Sequence, residues 1–93
     1  MRPSEIARLK EYVEKQKPFY LIPYSNSPHL RFEPKRGFWT VCNYEFLSYP
    51  ERIEVAAGEI DGVQVLRCYY EGGHTLGYEF NLENFFQVKE ATE

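Results

Sequence analysis

The chain has 93 residues and a net charge of −3, enough length for one domain with a modest core. The acidic total argues against a general nucleic-acid binder, and no run approaches the roughly 20 apolar residues of a membrane span. The charge is uneven: residues 1–36 carry eight Lys/Arg against four Glu, and residues 37–93 carry three against ten Asp/Glu. That split permits a basic patch near the N-terminal segment, or charge-complementary contact between copies of the chain.

Residues 3–17 read as a helix. Pro3 suits a first turn, Ser4 is an alternative cap, and Ile6, Leu9 and Val13, with Tyr12 and Gln16, follow helical spacing. Glu11 and Lys15 form a favourable i,i+4 pair. Pro18 is expected to end the helix. An amphipathic helix of this length is marginal alone, so it must pack. Met1-Arg2-Pro3-Ser4 leads into this charged segment and not into an apolar run, so a cytoplasmic protein with reduced thiols is expected.

Phe19-Tyr20-Leu21-Ile22, closed by Pro23, reads as a short or edge strand. Residues 23–36 hold Pro23, Pro28 and Pro34 around Ser25-Asn26-Ser27 and form the longest irregular stretch, within which His29-Leu30-Arg31-Phe32 can pair briefly. Loops of this length in small domains often carry function; the plainer reading is a surface crossover anchored by Leu30 and Phe32. Gly37 to Leu47 reads as one strand, apolar on both faces, with Trp39 on one and Tyr44 on the other. Ser48-Tyr49-Pro50-Glu51 is a turn.

The firmest element is a meander from Ile53 to Phe80. Asp61-Gly62 between two β-rich runs predicts a two-residue type I′ hairpin. Gly72-Gly73 supplies the next reversal. Gly58 marks a bulge or a close backbone approach, and Gly77 a bend that curls the sheet. Asn81 then starts a single helical turn, followed by a short extended piece, with Ala91-Thr92-Glu93 fraying. The expected core is Leu9, Val13, Val41, Ile53, Val55, Val65, Leu66, Leu76 and Phe80. The fold class is therefore α+β: residues 1–93 form a single domain, an N-terminal amphipathic helix packed on a curled antiparallel meander of about four to five strands.

Chemistry is sparse. His29, Cys42, Cys68 and His74 lack the close spacing of a zinc module, so no metal is predicted. Cys68 and His74 flank a turn, yet Leu66 and Tyr70 place the thiol in apolar surroundings that blunt it. Glu45, Glu54, Glu59, Glu71 and Glu79 are scattered at alternating positions, as on a solvated sheet face. Gly72-Gly73-His74-Thr75-Leu76-Gly77 lacks the Lys and following helix of a phosphate loop. No catalytic residue and no cofactor is assigned.

The sequence does carry sixteen aromatic residues, more than so small a core absorbs. Tyrosine is common at interfaces. The expected function is therefore a non-enzymatic binding protein, pairing with itself as a homodimer or docking a protein partner through a Tyr-rich sheet surface. The binding candidates are Tyr24, His29, Arg31, Arg36, Trp39, Tyr44, Tyr70 and Tyr78. One alternative is a small-ligand pocket, with or without enzymatic activity, between the 23–36 loop and the sheet, using Tyr24, His29, Arg31 and Glu45 or Glu79. Another is single-stranded nucleic acid on Arg31, Lys35, Arg36 and Trp39, against which the acidic C-terminal half counts.

Overall fold

Pro3 occupies the first turn of helix α1 (Pro3–Glu14), where its missing N–H costs nothing. The cap residue is Arg2, whose side chain makes no capping bond. The helix ends before Pro18. Gln16 takes a left-handed φ of 56°, its N–H donates to Val13 O, and the Lys17 N–H donates to Tyr12 O. That pair of bonds is a Schellman cap with Gln where Gly is usual. Leu9 on the apolar stripe is fully buried, while Ile6, Tyr12 and Val13 lie half-buried against the core.

A computed structural model of the chain describes residues 1–27, 29–33, 38–41, 44–48 and 50–91, with the backbone alone at 38–41 and 44–48. Among these residues lie eight strands: β1 (Phe19–Pro23), β2 (Leu30–Glu33), β3 (Phe38–Val41), β4 (Tyr44–Ser48), β5 (Arg52–Ala57), β6 (Gln64–Tyr70), β7 (Thr75–Asn81) and β8 (Phe85–Glu90). A 3-10 turn, Leu82–Asn84, separates the last two. The strands form two antiparallel sheets, one ordered β4-β3-β2-β1-β8 and the other β5-β6-β7. The fold is thus the expected helix on antiparallel sheet, α+β, with more strands than the four or five expected.

The extra strands have identifiable origins. The single strand expected over 37–47 is a hairpin, with Val41 paired to Tyr44. The chain 81–90 contributes a full strand after its helical turn, and that strand pairs with β1. β1 is consequently interior, between β2 and β8, and not an edge; Pro23 is tolerated because it sits at the strand end, where the register already shifts. Ala91 does not fray: it is buried, and its N–H donates to Pro18 O.

The meander is present as β5-β6-β7, but its first reversal is longer than Asp61-Gly62 suggests. Ala57 pairs with Gln64, the Gly58 N–H closes on Val63 O, and only Gly62 of the central pair has positive φ, so the turn is not type I′. A Cβ on Gly58 would lie 3.1 Å from Val65 Cγ1, which is the close approach. Gly77 is a bulge residue. Cys68 pairs with Tyr78 but Tyr69 with Leu76, so one extra residue is inserted in β7. The slip moves Leu76 from the face of Tyr78 and Phe80 to that of Tyr69. Leu76 is therefore 46% exposed and not part of the core.

One buried cluster joins all three layers. Phe19, Leu21, Phe32, Phe85 and Val88 come from the larger sheet, Leu66 and Cys68 from the smaller, Leu9 from the helix and Leu82 from the 3-10 turn. Of the other expected core residues, Val65 is buried, and Val13, Ile53, Val55 and Phe80 pack half-buried around the cluster. The side chain of Val41 lies outside the described residues. The sheets meet where Phe32 and Phe80 stand edge to face at 5.9 Å. Among the described residues no helix is long and apolar enough to cross a membrane.

Candidate binding groove

Two segments distant in sequence, 23–30 and 79–85, converge at one end of the two sheets. Pro23 pairs with Phe85, and the Tyr24 N–H donates to Asn84 O at 3.2 Å, so the end of β1 is stitched to the 3-10 turn. Asn81 opens that turn by accepting the Glu83 N–H at 2.9 Å, a capping interaction that leaves the Glu83 carboxylate exposed. The end of β7 runs alongside. Between them lies an open groove of about 800 Å³. Leu30, Phe80 and Phe85 give it apolar lining; Ser25, Ser27, Asn81 and Asn84 give hydrogen-bonding groups; Glu79 and Glu83 give charge. Tyr24 lines the groove and is 64% exposed, and it meets Phe86, 52% exposed, edge to face at 5.7 Å.

Of the sequence candidates, the groove gathers Tyr24 and Glu79. Glu79 is also bound by Arg67, Nε to Oε2 at 2.9 Å. His29 is exposed and does not line the groove. Arg31 follows Leu30 along β2 and so points to the opposite face. There it donates to Glu33 at 3.0 and 2.8 Å and to the Tyr20 hydroxyl at 3.0 Å, with its guanidinium over the Tyr20 ring. Partial burial works against the Arg31 charge, but the bonds to Glu33 and Tyr20 outweigh it and raise its pKa above the usual arginine value. Tyr70 and Tyr78 form a separate edge-to-face pair at 6.3 Å on the smaller sheet, Tyr78 being 41% exposed. Lys35 and Arg36, and the side chains of Trp39, Tyr44 and Glu45, lie outside the described residues.

Many of the aromatic rings pack on one another, from the buried cluster out to the half-exposed edge of the smaller sheet. Tyr12 stacks on Phe19, Phe19 on Phe32, Phe32 meets Phe80, and Phe80 meets both Tyr78 and Phe85. Tyr69 carries the Arg52 guanidinium 3.9 Å above its ring. Among the other lining residues, Glu83, Asn84 and Phe85 come from the chain beyond the meander. Their signal was the capped turn at Asn81, which fixes where they point.

Of the scattered carboxylates, Glu54 and Glu79 are held in ion pairs and Glu71 accepts a hydroxyl hydrogen bond. Arg52 donates to Glu54 at 2.6 Å, and Thr75 donates to Glu71 at 3.1 Å. Cys68 is fully buried between β5 and β7, and His74 is exposed on the turn beyond. Burial pushes the thiol up to about 12, the opposite of activation. Among the described residues no three His, Cys, Asp or Glu are grouped to hold a metal. The groove lining offers hydrogen bonds, apolar contact and negative charge.

No family model matches the chain, and no curated protein and no solved structure matches it either.

Proposed function

We propose that the chain is a non-enzymatic binding protein that docks a partner polypeptide in the groove bounded by Tyr24, the end of β7 and the 3-10 turn. The observation that carries this reading is the exposed Tyr24–Phe86 pair beside an apolar-lined, open groove. Aromatic side chains beside pockets are where interface energy concentrates, and Tyr and Phe lose little rotamer freedom on binding. The groove is open at the surface, which suits a chain segment passing through it.

A displayed library of short peptides, selected on the wild-type chain, tests this. Selected peptides should bind wild type and lose about tenfold or more on Tyr24→Ala, which removes an exposed ring and leaves the core intact. Selection of no peptide whose binding depends on Tyr24 would refute the reading. A small ligand in the same groove is the second reading, favoured by a volume of about 800 Å³, within the roughly 300–1,000 Å³ of small-molecule sites. It predicts stabilisation in a thermal-shift screen of small apolar compounds that Tyr24→Ala abolishes.

A further inference from the structure

We propose that the segment the groove takes is cationic: an extended stretch of partner polypeptide that seats an apolar side chain on Leu30, Phe80 and Phe85 and sets a Lys or Arg against Glu83. This rests on the reading of the groove as a polypeptide site. The charged residues among its described lining are Glu79 and Glu83, with no Lys or Arg. They are not equivalent. Glu79 is already held by Arg67 at 2.9 Å. Glu83 makes no ion pair among the described residues, the Met1 ammonium being bonded to the neighbouring Leu82 O at 3.2 Å, and the Glu83 backbone is set by the Asn81 cap. An uncompensated carboxylate beside an apolar wall attracts a cation more strongly than one in open water, because the wall limits screening.

The wider charge distribution agrees, since residues 37–93, which supply β7 and the turn, carry ten acidic side chains against three basic ones. An acidic segment would meet repulsion at Glu83. The extended form follows from the wall itself: Glu79, Phe80 and Asn81 are consecutive residues of β7, which pairs with β6 alone among the described strands. A strand-like segment can lie along that edge, as in other edge-strand recognition.

The test reads the charge of library-selected short peptides. For one selected peptide it then compares the native sequence with versions whose Lys/Arg is replaced by Ser or by Glu, using fluorescence anisotropy at low and physiological salt. The expected result is enrichment of Lys or Arg beside an apolar residue, tighter binding at low salt, and a loss of about two- to fivefold on Glu83→Gln. The Glu version should bind weakest. Neutral or acidic peptides that bind in a Tyr24-dependent way, or indifference to Glu83→Gln, would overturn the cationic partner while leaving the groove reading standing. Absence of any Tyr24-dependent peptide would remove both.

Discussion

Replacing Gly77 by Ala should destabilise the chain through one ring. A Cβ at Gly77 would lie 2.5 Å from Cδ2 of Tyr70 and closer still to Cε2. Ordinary carbon contacts begin near 3.4 Å, so the ring must retreat by about 1 Å. It cannot do so freely, because Tyr70 also stands edge to face with Tyr78 at 6.3 Å. Overpacking of this kind costs about 1–3 kcal/mol, and a weakened aromatic pair adds about 0.5–1.5 kcal/mol. Gly77→Ala should therefore cost about 2–3 kcal/mol in urea denaturation. Gly77 has no positive φ, so its backbone accepts Ala without strain. In a Tyr70→Ala background the collision is gone, and the same substitution should be neutral or stabilise by up to about 1 kcal/mol. The double-mutant cycle should thus give a coupling of about 2–4 kcal/mol. An equal cost in both backgrounds, or none in wild type, would refute the placement of Tyr70 over the bulge.

Three further outcomes follow from burial and backbone geometry. Leu66→Ala removes a fully buried side chain from the middle strand of the smaller sheet and should cost about 2–5 kcal/mol; a loss under about 1 kcal/mol in the same titration would put Leu66 outside the core. Gln16→Gly relieves a left-handed residue at the Schellman cap and should stabilise by about 0.5–1 kcal/mol, read as a higher denaturation midpoint. Cys68 has its folded-state pKa raised, to about 12 from 9.0. The stability it contributes is therefore fully present below pH 9 and is lost as pH rises toward 12, at up to about 1.4 kcal/mol per pH unit. Cys68→Val should flatten that part of the alkaline stability profile, and an equally steep profile in the variant would disprove the assignment.

The helix and the meander were legible because their signals are local. The stripe of Ile6, Leu9 and Val13 repeats at helical spacing, and Gly-containing turns bracket the β-rich runs of 52–80. The turn at Asn81 was legible for the same reason. What escaped depends on partners far along the chain. Nothing local in Phe19–Ile22 says that β8 will pair beside it, and without β8 the Pro23 boundary reads as an edge. The reversal between Val41 and Tyr44 carries no Gly or Pro in the sequence, so alternation ran through it unbroken. Gly77 reads as a bend in the sequence, but a one-residue bulge also swaps faces, and that carries Leu76 out to solvent. The groove follows the same rule. Tyr24 could be singled out as a surplus aromatic, whereas Glu83, Asn84 and Phe85 join it only because β1 and β8 are neighbours.

The groove is the proposed seat of a partner. The most direct measurement is a titration of a library-selected peptide into isotope-labelled protein, followed by amide chemical shifts. Perturbations should cluster at Tyr24–Ser27, Leu30 and 79–85. Shifts confined to Arg31 and Lys89, which flank Tyr20 on the opposite face, or to α1, would place binding elsewhere.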